Sequence, residues 1–556
     1  MSNDQIKRVY GIDLGTTYSA ISFINEHGKP EIITNSDNER ITPSVVYFES
    51  LENIIVGKIA KESAKTDPDR VVDFVKRQMN NLDWTFEIEG ESFRPEVISS
   101  FILKRLVGDA EKTGKHEVKD VVITCPAYFG DLERSRTRQA GELAGLNVVE
   151  ILDEPVAAAI YYGLNDENAK GKNIIVYDLG GGTFDVTVVS IGNDPNRNEI
   201  KIVCTEGDHL LGGKDWDDAI FNYYDSHFQD ETSHPSVVND PETAYDLRLA
   251  AEKDKQTLTV RDKVSRRVFS EGEKVVVELT REKFDEMTEN LLARTLELTE
   301  SVLEAAKERG IEKIDAFLLV GGSTRMRQVP EKIIERFAER LGVSPMEVDV
   351  DEAVAKGAAI VGEFKAIQNY VITGFQQSEN NEGEPVPIPN DDEIAQIADE
   401  TGKTEEEIRI AVTTSIQKVA TKSYGIKALK GDTEIIRNLI TKQTNVPATG
   451  SQIFKTAQAN AIEIDLIVYA NNNSESDVPL DMGEEIGNAV FKLPQNLPDR
   501  SPIEITFNLS DEGKLSMTAV DQTFNQKVDA VFEAAGVMTE EEMEMARKHA
   551  RNIMVD

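Results

Sequence analysis

Apolar runs of strand length alternate with longer amphipathic segments from Arg8 to about residue 365. The run "DVVITCPAY" (120–128) is typical of a buried strand. The following segment, "DLERSRTRQAGELAGL", has Leu132, Ala140 and Leu143 at helical spacing, which predicts a surface helix with a polar outer side. Such alternation is typical of an α/β unit whose sheets are covered by helices.

The pattern changes near residue 375, where "QQSENNEGEPVPIPNDD" is acidic and broken by prolines. This composition predicts a linker or an exposed loop. The next segment, "DEIAQIADETGKTEEEIRIAV", predicts two short amphipathic helices around Gly402, the second opened by a capping box from Thr404 to Glu407.

From Ser423 onward the apolar period falls to two, as in the alternation of Ile462, Ile464 and Leu466 with polar neighbours. This period predicts an all-β domain. A second capping box, Thr539 with Glu542, then predicts one closing helix. We therefore divide the chain into four parts: 1–370, a linker or insert with a helix pair at 371–420, a β domain at 421–537, and a C-terminal helix at 538–556.

The composition narrows the classes of function. A chain of 556 residues is long enough for two to four domains. Its 100 acidic residues against 61 basic ones give a net charge of −39, which disfavours nucleic-acid and anionic membrane partners. No signal peptide or membrane-spanning stretch is apparent in the sequence, so we expect a cytoplasmic protein. Two cysteines, Cys125 and Cys204, exclude a disulfide framework.

Two glycine-rich turns repeat one pattern: "VYGIDLGTTYSAISF" near the N-terminus and "IVYDLGGGTFDVTVV" further on. In each, a strand-like run ends in Asp-Leu-Gly, with Asp13 in the first copy and Asp178 in the second. A repeat at this distance predicts a duplicated subdomain with a cleft between the copies. For either turn taken alone, an ordinary β-hairpin remains an equally good interpretation.

The residue types at these turns favour phosphate binding. Glycines leave backbone N–H groups open to an anion, and Thr16, Thr17 and Thr183 add hydroxyl donors. Asp13 and Asp178 are then placed to face a phosphate-bound Mg²⁺ and its waters. A third glycine site, "AFLLVGGSTRM" (316–326), follows another strand. No stretch fits the GxxxxGK[ST] pattern, which excludes a P-loop enzyme.

Several segments together resemble the seventy-kilodalton heat-shock chaperone family, of the DnaK type, within the actin and hexokinase superfamily. They are "GIDLGTTYS", "VVITCPAYFGD", "ILDEPVAAAIYYG", "VYDLGGGTFDV", "LLGGKDWDD", "LLVGGSTRM" and "DVDEAVAKGAA". The resemblance implies an α/β fold with a two-lobed, actin/hexokinase-like ATPase domain, followed by an all-β peptide-binding sandwich and a short C-terminal helix. It is close over the first 365 or so residues and looser from Ser423 to about Met538.

The resemblance also implies an ATP and Mg²⁺ site. Its catalytic residues would be Asp13, Lys76, Glu154, Asp178 and Thr183. Lys76 would steady the γ-phosphate and the attacking water, Glu154 would help to place water and metal, and Asp178 would orient the nucleophile. Asp13, Glu154 and Asp178 would hold the Mg²⁺ through waters. Without the resemblance, Lys76 would be interpreted as a solvated charge and Glu154 as a helix-start residue.

The remaining nucleotide contacts come from the same resemblance. The residues expected at the phosphates are Gly15, Thr16, Thr17, Tyr18, Gly180, Gly181, Gly182, Gly212 and Gly213. Those expected around the adenosine are Glu252, Lys255, Gly321, Gly322, Ser323, Arg325 and Asp351. Arg325 is expected to stack on the base.

In the β domain, the family lines a hydrophobic channel for an extended peptide. The corresponding positions are Ile426, Ile453, Phe454, Ile462 and Ile464. Alternating apolar residues in a β domain are more often plain core, and for each position alone that interpretation stays open.

Four features depart from the family pattern. About forty residues replace the short apolar linker and its Asp, and only about twenty residues follow the β domain, where the family has a helical lid. Gln256 and Lys214 stand where many members have Arg and Glu. The end "NIMVD" lacks the acidic tail of cytosolic eukaryotic members, which favours a bacterial member.

We expect a monomeric, cytoplasmic stress-response chaperone that uses Mg²⁺-ATP to control the binding of extended apolar polypeptides. Its expected partners are unfolded segments, a J-domain co-chaperone and a nucleotide-exchange factor. The alternative is a regulatory or co-chaperone protein that binds nucleotide with weak or uncoupled hydrolysis. A small-molecule kinase or an actin-like filament protein is disfavoured by the β domain.

Overall fold

The computed structural model describes residues 6–114, 116–165, 169–194, 197–270, 272–375, 388–456, 461–494, 497–511, 513–532, 537–551 and 553–556. No helix within these ranges is long and apolar enough to cross a bilayer.

Lobe I is built around a mixed sheet. Its strands are β1 (Val9–Asp13), β2 (Tyr18–Ile24), β3 (Pro30–Ile32), β4 (Thr42–Pro43), β5 (Val46–Phe48), β6 (Asn53–Val56), β7 (Val71–Val72), β8 (Phe86–Ile88), β9 (Glu91–Phe93), β10 (Asp120–Cys125) and β11 (Asn147–Asp153). Its helices are α1 (Lys58–Ser63), α2 (Pro95–Gly114) and α3 (Asp131–Leu143). The main sheet has the order β11-β10-β1-β2-β3, with β4 paired to β2, while β5, β6 and β7 form a smaller sheet.

Lobe II repeats this plan. Its elements are α4 (Glu154–Asn165), β12 (Asn173–Leu179), β13 (Phe184–Ile191), β14 (Asn198–Asp208), α5 (Gly213–Thr232), α6 (Pro241–Leu258), β15 (Lys263–Ser270), β16 (Glu273–Thr280), α7 (Arg281–Met287), α8 (Glu289–Glu308), β17 (Ala316–Val320), α9 (Gln328–Ile333), α10 (Glu339–Leu341), β18 (Pro345–Glu347) and α11 (Ala353–Phe375). Within its sheet the order β18-β17-β12-β13-β14 places a parallel strand, β17, beside the hairpin β12-β13, as β10 lies beside β1-β2. The predicted duplication corresponds to these two hairpins.

Helices α4 and α11 pack between the two sheets. They share an apolar cluster with residues of β1, β10, β12 and β17. The helices touch closely, because a Cβ added to Gly357 would lie 1.9 Å from the backbone oxygen of Ala157. Glycine is therefore required where the two lobes are joined.

The predicted helix pair is present. It consists of α12 (Asp391–Thr401) and α13 (Glu405–Thr413), and the capping box of Thr404 with Glu407 is confirmed. Strand β19 (Thr414–Val419) follows at once and pairs in parallel with β14, which extends the sheet of lobe II. A linker strand docked on the two lobes thus lies where the sequence predicted only an atypical linker.

The β domain is a sandwich. Its strands are β20 (Ser423–Lys430), β21 (Thr433–Ile440), β22 (Asn445–Val446), β23 (Ala448–Lys455), β24 (Glu463–Asn471), β25 (Asp477–Pro479), β26 (Gly483–Lys492), β27 (Pro502–Leu509), β28 (Leu515–Asp521) and β29 (Gln526–Phe532). One sheet has the order β25-β21-β20-β24-β26 and the other β23-β27-β28-β29, while β22 pairs with β19 at the edge of lobe II. The α/β and all-β parts of the expected fold are confirmed.

The C-terminal segment contacts lobe I. Helix α14 (Glu540–Arg551) begins at the predicted capping box of Thr539 with Glu542, and Met538 and Met543 pack against Leu143 of α3. Strand β30 (Met554–Val555) then pairs in parallel with β6. The outer side of α3, predicted to face solvent, is therefore partly covered by protein.

Candidate functional site

A cleft of about 790 Å³ separates the two lobes, and both glycine turns line it. The loops touch each other, because a Cβ on Gly181 would lie 2.2 Å from Thr17 Oγ1 and a Cβ on Gly182 would lie 2.2 Å from Thr16 Cγ2. A Cβ added to Gly180 would have only atoms of Thr183, in the same turn, within 4 Å. Two of the three consecutive glycines thus allow the loops to meet, while Gly180 lies open to the cleft.

Two further loops support these turns from lobe II. The backbone N–H of Gly213 donates to Gly180 O at 2.9 Å, and the Ser323 hydroxyl donates to the same oxygen at 2.9 Å. A Cβ on Gly212 would collide with the backbone of Gly182. Of the predicted nucleotide contacts, Gly182, Gly212 and Gly213 form the layer behind the cleft, and the others line it.

Lys76 and Glu154 form a buried ion pair at the base of the cleft, with Nζ to Oε1 at 2.5 Å. Lys76 lies on a short 3₁₀ turn after Phe74, whose φ of 52° is left-handed. Its side chain is 6% exposed, so the alternative of a solvated surface lysine is wrong.

Carboxylates surround this lysine. Asp13 ends β1, Asp178 lies near the end of β12, and Glu154 begins α4. Thr124 Oγ1 donates to Asp13 Oδ1 at 3.2 Å. All the predicted catalytic residues, including Thr183, line this one cleft.

The sequence reasoning did not select Asp185, a fourth carboxylate. It lies opposite Asp178 in the β12-β13 pairing, is 2% exposed, and accepts a hydrogen bond from the Tyr128 backbone N–H at 3.0 Å. The signal was available, because Asp185 belongs to the "DLGGGTFDV" motif and a tight hairpin places its two aspartates side by side.

Burial and mutual repulsion raise the pKa values of these carboxyl groups. The pKa of Asp13 rises to about 7 through burial and the charge of Glu154, and that of Asp185 rises to about 8 for the same reasons. The pKa of Asp178 is also raised, first by burial and then by Glu154. Burial alone would lower the pKa of Lys76, but attraction to Glu154 and Asp13 outweighs it and leaves the pKa raised.

This donor set fits a hydrated Mg²⁺. Carboxylate oxygens are the ligands that Mg²⁺ prefers, and it usually keeps several waters. Among the described residues, no group of three or more His, Cys, Asp or Glu side chains is arranged to hold a metal ion directly. Coordination through waters, as expected from the sequence, suits both facts, and a cation bound there would favour the ionised form of these carboxyl groups.

The other end of the cleft has the residues expected around an adenosine. Arg325 and Asp351 form a bidentate pair at 2.9 and 2.6 Å, and Lys255 Nζ bonds Gly213 O at 2.7 Å and Asp217 Oδ2 at 2.8 Å. Burial raises the pKa of Asp217 to about 6, although Lys255 opposes the rise. Both Gln256 and Lys214, the departures from the family pattern, also line the cleft.

Side chains that the sequence reasoning did not identify join the lobes across the cleft. Arg77, next to Lys76, donates to Gly182 O at 2.7 Å and pairs with Asp215 at 2.5 Å. Lys61 of α1 pairs with Glu252 of α6 at 2.6 Å. No periodicity or motif marks Arg77 or Lys61, because their partners lie more than 100 residues away in the chain.

The expected peptide-contact residues of the sandwich differ in their exposure. Ile426 is 2% exposed and belongs to the sandwich core, so the plain-core alternative describes its placement. Phe454 and Ile464 pack at the margin of that core. Ile453 and Ile462 are 51% and 71% exposed. Of the five, the structure thus leaves Ile453 and Ile462 accessible.

The sandwich contacts both lobes. Lys442 Nζ of the sandwich binds Glu206 of β14, in lobe II, at 2.8 Å. On the side of lobe I, Arg134 of α3 forms an ion pair with Asp153 of the same lobe at 2.5 Å. The Arg134 side chain is 12% exposed, so this helix arginine is largely buried rather than solvated. It lies beside a small interface cavity that Tyr424 of the sandwich also lines.

A family model described as "Hsp70 protein" matches residues 9–371 and 408–555, which is most of the chain.

Proposed function

The chain belongs to the Hsp70 family, and from this premise we propose that it is an ATP-dependent chaperone that hydrolyses Mg²⁺-ATP to control binding of extended apolar polypeptide segments. Members of the family are ATPases that bind ATP, generally with Mg²⁺, and act on polypeptides. The observation that supports the proposal best is the buried Lys76–Glu154 pair between two matching turns.

The proposed chemistry depends mainly on position and charge. Phosphoryl transfer to water needs an aligned nucleophile and neutralised phosphate oxygens rather than covalent catalysis. Backbone N–H groups of the two turns, with the hydroxyls of Thr16, Thr17 and Thr183, are donors for those oxygens. Bound Mg²⁺ would supply further positive charge at the phosphates, held through waters on Asp13, Glu154 and Asp178.

Lys76 and Asp178 have the proposed roles closest to the reaction. The Lys76 ammonium, aligned by Glu154, would donate to a γ-phosphate oxygen and to the attacking water. Asp178 would accept a hydrogen bond from that water and so orient its lone pair. Its raised pKa should fall once cations fill the cleft, because nearby positive charge favours the carboxylate.

A regulatory protein with uncoupled hydrolysis is the second candidate. The observation that favours it is the helix pair before β19, because most of that pair lies outside the two ranges matched by the family. The helix pair therefore gives the linker additional contacts, and these contacts come from residues that the matched ranges do not include.

Single-turnover ATP hydrolysis distinguishes the two candidates. The rate is measured for the full chain alone, with a J-domain protein, and with an extended apolar peptide. A coupled chaperone predicts stimulation by both additions. Hydrolysis that responds to neither would favour the regulatory protein, and absence of hydrolysis together with absence of ATP binding would contradict both.

A further inference from the structure

The segment between the two family-matched ranges, residues 372–407, includes all of α12 and the start of α13. Each helix begins at its own capping box, Asn390 with Glu393 and Thr404 with Glu407. Lys403 in the turn between them pairs with Glu363 of α11. Residues 388–407 are therefore a folded element with local helix-start signals rather than an extended linker.

The helix pair buries an apolar face against α11. Ile394, Ile397 and Ile408 are 0% exposed and pack with Ile367 and Val371 of α11. Burial of three isoleucine side chains favours this contact by several kcal/mol, at roughly 1.5–3 kcal/mol each. The pair is thus fastened to the ATPase lobes independently of the linker strand.

The linker strand continues directly from this face. Helix α13 ends at Thr413 and β19 begins at Thr414, with no residue between them. The Gln368 side chain of α11 donates to Ala411 O at 2.8 Å and to Thr414 O at 3.2 Å, and so spans the junction. Fixing the end of α13 on α11 therefore fixes the first residue of the strand beside Asn198 of β14.

An ion pair holds the C-terminal end of strand β19. Lys418 is buried, and its Nζ donates to Glu150 Oε1 at 2.8 Å and to Ile151 O at 3.2 Å on β11 of lobe I. Lys365 of α11 binds the second oxygen of Glu150, also at 2.8 Å. The strand belongs to the sheet of lobe II, yet its last charged side chain is bound to lobe I.

We propose that residues 388–413 are an intramolecular clamp, the linker clamp, which keeps β19 docked on the ATPase lobes whatever nucleotide is bound. Release of β19 would need the buried isoleucine face or the α13–β19 junction to open first. Any effect of the clamp on the coupling between ATP hydrolysis and peptide binding rests on the proposed function. The docking of β19 on the two lobes does not depend on it.

Hydrogen exchange of the amides of residues 414–419 in the full chain tests the clamp. Exchange is followed by mass spectrometry without nucleotide, with Mg²⁺-ADP and with Mg²⁺-ATP. We expect equally slow exchange in all three conditions. Exchange at least about tenfold faster with ADP than with ATP would overturn the proposal, since it would show a strand released by nucleotide state.

A matched pair of substitutions locates the cause. Ile397→Asp places a charge in the buried face, whereas Ile388→Asp changes the same residue type at a side chain that is 50% exposed. We expect Ile397→Asp to speed exchange of residues 414–419 by about tenfold or more, because an unpaired buried charge is costly, and Ile388→Asp to leave it unchanged. Unchanged exchange in Ile397→Asp would contradict the clamp.

Gln368→Ala is the milder second variant, for use if Ile397→Asp fails to fold. It removes only the two hydrogen bonds across the junction, and we expect exchange at residues 414–416 to rise severalfold while that of β17 stays the same. No change would contradict the proposal. ATP binding is measured on the same samples, so that a failed nucleotide site is distinguished from a failed clamp.

Discussion

At the residue scale, the most consequential side chain is Lys76. It is buried, paired with Glu154, and its Nζ lies 5.8 Å from the centre of the Phe129 ring. Its position depends on Arg77, the next residue in the same turn. The bonds of Arg77 to Gly182 and Asp215 hold this turn against the opposite lobe. A cation held this rigidly in a cleft of carboxylates suits stabilisation of a transferring phosphoryl group.

Lys76→Ala should reduce the single-turnover rate of ATP hydrolysis by about 10²–10³-fold, because it removes one preorganised donor from the transition state. Nucleotide affinity should change much less, since the adenosine end of the cleft is untouched. Rapid-quench kinetics and ATP titration measure the two quantities separately. Hydrolysis at the parent rate would show that Lys76 has no part in the chemistry.

The raised carboxyl pKa values predict a pH dependence of stability for the nucleotide-free protein. Asp13 and Asp185, with pKa values of about 7 and about 8, keep protons in the folded state that the unfolded chain, with carboxyl pKa values near 4, has already released. The unfolded state therefore binds fewer protons, and the free energy of unfolding should fall as pH rises from about 4 to about 8.

Asp185→Asn tests this assignment, because the amide oxygen can still accept the Tyr128 N–H. The fall with pH should become shallower, and the variant should be more stable than the parent at pH 8 by at least about 1.4 kcal/mol, the worth of one pKa unit. Urea unfolding between pH 5.5 and 8.5, followed by the fluorescence of buried Trp216, gives the comparison. Parallel pH profiles of parent and variant would contradict the raised pKa.

At the element scale, the C-terminal segment is an example of a contact that sequence periodicity does not reveal. Helix α14 stands where the family has a helical lid, and the structure packs its apolar side against α3. The Gln139 side chain also exchanges hydrogen bonds with the backbone of Met538, at 2.7 and 3.2 Å. The helix and β30 together attach residues 537–556 to lobe I.

Met543→Ala should loosen this attachment, since truncating a buried methionine costs about 2–5 kcal/mol. Met545→Ala is the matched control on the same helix, because Met545 is 63% exposed whereas Met543 is 2% exposed. We expect faster amide exchange over residues 540–551 in the first variant and parent-like exchange in the second. Equal exchange in both would show that α14 does not depend on its contact with α3.

The sequence predicted those elements whose signals are local. The strand-Gly turns, the capping boxes at Thr404 and Thr539 and the period-two strands of the sandwich all follow from neighbouring residues. Long-range contacts were not predictable in this way. The polar side of α3, the docking of β19, and the burial of Ile426 each depend on a partner distant in the chain.

The residues of the candidate site also divide into those marked by local motifs and those that depend on long-range contacts. Asp13, Glu154 and Asp178 stand at element ends that motifs mark, so their convergence could be expected from the duplication and the family resemblance. Arg77 and Lys61 come from a turn and a helix without a motif, and their roles depend on how closely the lobes approach.

At the scale of the whole molecule, nucleotide, linker and sandwich all meet the same two lobes. Both sheets present equivalent turns to the cleft, while α4 and α11 join them behind it. The sandwich bonds to lobe II through Lys442 and Glu206, and β19 is bound to both lobes. A change in the angle between the lobes would therefore reach the sandwich through these contacts.

The central claim is that paired turns close on Mg²⁺-ATP, and calorimetric titration of ATP in the presence of Mg²⁺ tests it most directly. Gly181→Ala would force a Cβ to 2.2 Å from Thr17 Oγ1, whereas Gly108→Ala in α2 is the matched control with no atom within 4 Å. The account predicts one Mg²⁺-dependent site in the parent and in Gly108→Ala, weakened at least about tenfold in Gly181→Ala. No binding by the parent, or equal binding by Gly181→Ala, would contradict it.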